Sequence, residues 1–108
     1  MKNFRGIFMR DTLPKRPRAR ESAVINLDTS NGPGTHYVAY VKRGDLVWYY
    51  DSFGDLPPPR ELVNYFGNSA IIVYNKTREQ KFNTHTCGRL CLKFLYTMQV
   101  GDEQHSLQ

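Results

Sequence analysis

Cysteine is scarce in this chain of 108 residues: there are two, Cys87 and Cys91. Four positions apart on one helical turn, they are poorly placed to bridge each other. A reducing, intracellular setting is the natural reading. No apolar run approaches the roughly 18 residues of a membrane span, so no membrane contact is expected. The amino terminus, MKNFRGIFMRD, has neither an uninterrupted apolar core nor a small-residue cleavage site, which argues against a secretory signal. A phosphate-binding glycine loop is missing too, because NGPG leads into a strand and not a helix. Cys87, Cys91, His85 and His36 could supply four ligands, yet C-x3-C with one nearby His matches no common zinc signature. The chemistry calls for no metal and no cofactor. Acidic residues number 10 against 15 Lys and Arg, a formal net charge of +5. That balance suits an acidic partner or nucleic acid.

Much of the positive charge sits in one place. Lys15, Arg16, Arg18 and Arg20 form KRPRAR, broken by Pro17 and preceded by Pro14. The plain reading is a solvated, extended linker. The sharper ones are a nuclear localisation signal or a phosphate-contacting arm.

The length gives one domain, and apolar runs between polar turns argue against disorder. Residues 1–20 read as a short apolar segment, with Phe4, Ile7 and Phe8 on the domain edge, followed by the basic linker. Residues 21–98 read as the functional domain and 99–108 as a frayed tail. ESAVINLD over 21–28 alternates as a strand. Two aromatic and β-branched segments, 36–41 and 46–51, flank KRGD and read as a hairpin. A turn centred on Arg43-Gly44 pairs Lys42 with Asp45, Tyr40 with Val47, Val38 with Tyr49 and His36 with Asp51. A short helix over 59–66, with Leu62, Val63 and Phe66 as its stripe, is stopped by Gly67. SAIIVYN over 69–75 is continuously apolar and predicts an interior strand. A helix from Cys87 carries apolar residues at Leu90, Cys91, Phe94, Leu95 and Met98, opposite Arg89, Lys93 and Thr97. The fold class is α+β: a mixed, mainly antiparallel sheet packed on one central helix.

Two features carry chemistry. Cys87 stands where a polar loop meets that helix, where the dipole and unpaired amides favour thiolate, and Gly88 lets a substrate backbone approach. Thr84 or Thr86 supplies a cap. Cys91, one turn on, reads as a buried small hydrophobe. Separately, the hairpin register sets the Asp51 carboxylate beside the His36 imidazole. His85 competes as a base, but neighbours two apart from Cys87 on an extended loop point away from it. His105 lies in the tail, and Asp45 and Asp55 in turns.

Gln80, six residues, then Cys87-Gly88 ahead of an apolar helix resembles the cysteine proteases of adenovirus type, the adenain-like enzymes. These are related to the Ulp-type proteases of ubiquitin-like proteins. His36 in GTHYVAY, Asp51 in YYDSFG, Gln80 and Cys87 stand in the order those families use, over roughly residues 4–98. The resemblance implies a papain-like fold and a Cys87-His36-Asp51 triad, with Gln80 and the Cys87 amide as oxyanion hole. It implies a groove near Gly34, Tyr37, Trp48 and Gly88 for an extended polypeptide cut at small or Gly-containing sites. Tyr37 stands where the proteases usually have Trp. A virion-maturation role, a monomer, a location in the host nucleus or virion, and a DNA or peptide activator follow by analogy. The alternatives are an isopeptidase acting on a ubiquitin-like modifier (a deubiquitinase or deSUMOylase) and a non-catalytic basic nucleic-acid-binding module.

Overall fold

The hairpin marked by KRGD forms at the centre of a sheet. The computed structural model describes residues 3–28, 36–52, 54, 57–75 and 87–106, and of Cys87 and residues 100–106 the backbone alone. Five strands line up in chain order: β1 (Phe4–Met9), β2 (Arg20–Asn26), β3 (Tyr37–Arg43), β4 (Leu46–Tyr50) and β5 (Ile71–Tyr74). The central pairings, β2–β3 and β3–β4, are antiparallel; the outer ones, β1–β2 and β4–β5, are parallel. The sheet is therefore mixed, with an antiparallel centre and a parallel pairing at each edge. Helix α1 (Arg60–Phe66) forms the crossover between β4 and β5, and α2 (Cys87–Ser106) closes the chain.

Alternation along the central strands feeds two cores instead of one. Ala23, Ile25, Val38, Tyr40, Val47 and Tyr49 pack with Leu62 and Phe66 of α1. Val24, Ala39, Val41 and Tyr50 pack with Cys91 and Leu95 of α2. The expectation of a sheet on a single helix is thus corrected to a layer on each face. Because successive side chains point to opposite faces, strands that are apolar at every position need cover on both sides. Tyr40 meets Phe66 edge-on at 4.8 Å, and Tyr50 stacks on Phe94 at 5.0 Å with rings 10° apart.

The hairpin register differs from the expected one. Arg43 faces Leu46, Tyr40 faces Tyr49 and Ala39 faces Tyr50, so the turn is centred on Gly44-Asp45. Gly44 adopts φ +60°, and a two-residue turn that needs one left-handed residue puts glycine first. Centring the turn on Arg43 would have asked a side-chain-bearing residue to take that conformation. In α1 the stripe narrows to Leu62 and Phe66, because Val63 is exposed, and Gly67 at φ +94° ends the helix with its N–H on Val63 O.

Three other expectations change. SAIIVYN does not give an interior strand: β5 is the sheet edge, with Ile71 and Val73 exposed. A continuous apolar run does not by itself tell a central strand from an edge strand packed on one face. The stretch after Met98, read as a tail, continues α2 to Ser106. Ile7 of β1 is exposed, while Phe4 and Phe8 pack on opposite cores.

KRPRAR is not a free linker. Arg16 O accepts from Arg5 Nη1 (2.8 Å) and from the Tyr65 hydroxyl, and Arg18 O accepts from Lys42 Nζ (3.0 Å). The Arg18 N–H donates to the buried Glu21 carboxylate. That carboxylate also takes the Tyr40 hydroxyl (2.5 Å), the Tyr65 hydroxyl (2.8 Å) and Arg5 Nη1 (3.3 Å). A buried carboxylate is tolerable only when its oxygens are satisfied, and here every bond also ties the segment down.

Two predictions follow from these cores. The Tyr49 hydroxyl is buried and has no hydrogen-bond partner among the described residues. Removing an orphan polar group recovers its desolvation cost, so Tyr49→Phe should leave stability unchanged or raise it by about 1 kcal/mol in denaturant titration. Tyr65 is pushed up from 10.0 to about 12 by burial first and then by its hydrogen bond to Glu21. The folded state holds that proton more tightly, so its stabilisation is complete below pH 10 and lost as pH rises through about 12. Tyr65→Phe should flatten the alkaline loss of stability over this window, read by denaturation midpoints at stepped pH.

Candidate active site

Three chain segments meet at one end of the sheet: the entry to β3, the exit from β4 and the start of α2. His36 immediately precedes β3, and its carbonyl accepts the Leu27 N–H at 2.9 Å, one step beyond the last β2–β3 pair. Asp51 immediately follows β4. Its N–H donates to Asn75 Oδ1 (2.9 Å), and its carbonyl accepts from Asn75 Nδ2 (2.7 Å) and the Gly54 N–H (2.9 Å). Asp51 is buried and His36 partly so.

His36 Nε2 lies 2.9 Å from Asp51 Oδ1. An ionised carboxylate only accepts, so Nε2 carries the proton and donates, which leaves Nδ1 for a second partner. The expected pair is present although the expected register is not. The two-residue difference explains this: a slip of one would have sent the side chains to opposite faces, whereas a slip of two keeps them on the same one. In the observed register the two are diagonal, not direct, neighbours. At about 7–8 Å between such positions, an imidazole and a carboxylate still meet.

The first residue of α2 is Cys87, as the spacing predicts. A Cβ added to Gly88 would lie 3.9 Å from Tyr37 Cδ2, so the helix start abuts the residue that follows His36. At the other end, Arg43 Nη2 donates to Met98 O at 3.2 Å. Helix α2 therefore runs along β3 in the same direction and brings its amino-terminal, positive end to the end of the sheet at which His36 and Asp51 lie. Cys91 is fully buried against the sheet, in keeping with a packing role.

The remaining candidates divide. Tyr37 is half-buried on the α2 side and lies at this end of the sheet. Trp48 does not: it sits in mid-β4 between Val41 and Val73, with the Arg43 guanidinium 5.1 Å over its ring. Lys15, Arg16, Arg18 and Arg20 are exposed. Arg20 pairs with Arg43 at the hairpin end, about 20 Å of strand away from His36. Gly34, Gln80, His85, the Thr84 and Thr86 caps, Asp55 and the side chains of Cys87 and His105 lie outside the described residues. Among the described residues, no group of three or more His, Cys, Asp and Glu could hold a metal ion.

Asn75 is the residue that reading the sequence missed. It ends the apolar run SAIIVYN, and nothing local distinguishes it from an ordinary strand-terminating Asn. Its role depends on β5 lying beside β4, which is a tertiary fact.

Comparison of the chain with protein-family models, curated proteins and solved structures finds no match in any of the three.

The space at Gly88 gives a prediction. A methyl group there meets only ordinary van der Waals contact. Gly88→Ala should therefore keep the fold and raise stability by up to about 0.5–1 kcal/mol through helix propensity. A fall in thermal midpoint would contradict the described packing of Tyr37 on the helix start.

Proposed function

We propose that the chain is a cysteine endopeptidase of adenovirus-protease type, with Cys87 as nucleophile. The observation that carries this reading is the 2.9 Å His36-Asp51 pair at the same end of the sheet as the start of a helix that begins Cys87-Gly88. In this reading Nδ1 of His36 takes the Cys87 thiol proton, and the thiolate adds to the scissile carbonyl. The carbonyl π electrons move to oxygen, where the Cys87 amide and the Gln80 side chain receive the charge. When that intermediate collapses, the C–N bond breaks, the imidazolium protonates the leaving amine, and a thioester remains. Water, deprotonated by His36, then releases the acid and regenerates the thiol. Asp51 holds the ring by Nε2 throughout.

The papain-like fold name, the polypeptide substrate and the preference for small or Gly-containing sites rest on the resemblance of Gln80, Cys87, His36 and Asp51 to the family pattern. So do maturation of viral or mobile-element precursors, a nuclear or virion location, and activation by DNA or a peptide. An isopeptidase acting on a ubiquitin-like modifier would use the same four groups. The exposed side chains of the KRPRAR segment, on a tethered main chain, favour a different second reading, a basic module that binds nucleic acid without catalysis. That module would bind with a steep salt dependence and keep its affinity after Cys87→Ala.

A thiol-directed probe with peptide mapping, run beside a library of Gly-containing peptides, tests the proposal. Cys87 should label rapidly and the buried Cys91 should not, and Cys87→Ala should abolish both labelling and cleavage. A wild-type protein that shows neither, with and without DNA, would sink the enzyme reading. A modifier probe ending in Gly-Gly separates the endopeptidase from the isopeptidase.

A further inference from the structure

We infer that Asn75 is the positioning residue for Asp51 and, through it, for the His36 ring; its catalytic consequence rests on the thiol-peptidase reading, its geometry does not. The described β4–β5 register ends at Tyr49 opposite Tyr74, and β5 itself ends there. Asp51 lies two residues beyond this last described pair. The Asn75 side chain holds it there, accepting the Asp51 N–H at 2.9 Å and donating to the Asp51 carbonyl at 2.7 Å. A primary amide carries its donor and its acceptor on one carbon and in one plane, as a peptide group does; a carboxylate offers acceptors and an ammonium donors. Asn does so on a single methylene, so the clamp is short and stiff. The Gly54 N–H adds a third bond to the same residue.

The consequence reaches the imidazole. His36 and Asp51 are diagonal neighbours, so the ladder does not bring them together directly. Each is held instead by its own main chain: His36 through the Leu27 N–H, Asp51 through Asn75. Once the main chain of Asp51 is fixed, the origin of its side chain is fixed, and Oδ1 can meet Nε2 at 2.9 Å. A carboxylate free to swing by an ångström would orient the ring poorly, and misplacement on that scale is costly to catalysis.

The test follows the downfield ring N–H proton of His36 by NMR in the intact chain, together with steady-state cleavage of the best Gly-containing peptide. Asp51→Asn assigns the resonance by removing its ionised acceptor. Asn75→Ala should abolish or broaden it and lower kcat by about tenfold or more, with KM changed by no more than about twofold. Asn75→Asp is isosteric and keeps the acceptor but loses the donor; it should fold and give a weakened signal. Tyr65→Phe loosens the Glu21 cluster at the far end of the sheet and should leave the ring proton in place. Should Asn75→Ala fail to fold, Asn75→Asp decides. An unchanged ring proton and kcat in the folded Asn75 variants would overturn the inference. If the wild type cleaves nothing, the peptidase reading fails, while loss of the ring proton in the Asn75 variants still supports the clamp.

Discussion

Strand β3 has no solvent face, and the rest of the molecule is arranged around that fact. Val38 and Tyr40 point into one core, Ala39 and Val41 into the other. At about 25 cal/mol per Å², burying both faces of a seven-residue strand is a large share of what a small domain has to offset its chain entropy. The requirement sets the layers: α1 covers one side, α2 the other, and β2 and β4 complete the ladder. It also sets the ends. With β3 held along its length, His36 at its entry and Arg43 at its exit become fixed points, and α2 is aligned between them by Tyr37 and by the bond from Arg43 to Met98.

The proposed site is a by-product of that alignment. The amino terminus of α2 falls at the His36 end because the helix shares the direction of β3. Asp51 falls there because β4 is antiparallel to β3 and ends as β3 begins. Chemistry that depends on the His36-Asp51 pair therefore draws its rigidity from main-chain bonds at strand ends: Leu27 on one partner, Asn75 and Gly54 on the other. Such positions suit function, since rigid strands fix them where loops begin.

At the opposite end the same sheet carries the Glu21 cluster. A carboxylate with no exposed surface is stable there because two tyrosine hydroxyls, a guanidinium and a main-chain N–H all turn towards it. Burial and that hydrogen bonding raise Tyr40 as well as Tyr65, so both hydroxyls remain protonated donors at neutral pH. The basic segment lies over this cluster with its carbonyls and one amide engaged and its charged side chains outward. Charge at one end and the His36-Asp51 pair at the other are thus kept roughly a strand length apart.

Local pattern was enough for much of this. The start of α2 at Cys87, the stop at Gly67, the strands on either side of KRGD, and the meeting of His36 with Asp51 all follow from periodicities and turn chemistry that act over a few residues. The register was misplaced by two because the choice between Arg43-Gly44 and Gly44-Asp45 turns on which residue takes positive φ; alternation survives a shift of two, so the pair survived as well. The edge position of β5, the second helical layer, the length of α2, the tethering of KRPRAR and the clamp by Asn75 were not legible. Each depends on which segments become neighbours in space. The sequence by itself determined which residues are apolar, which are reactive and where elements begin; only the tertiary structure decided which of them touch, because contact between distant residues is settled by the burial of whole layers and not by local preference.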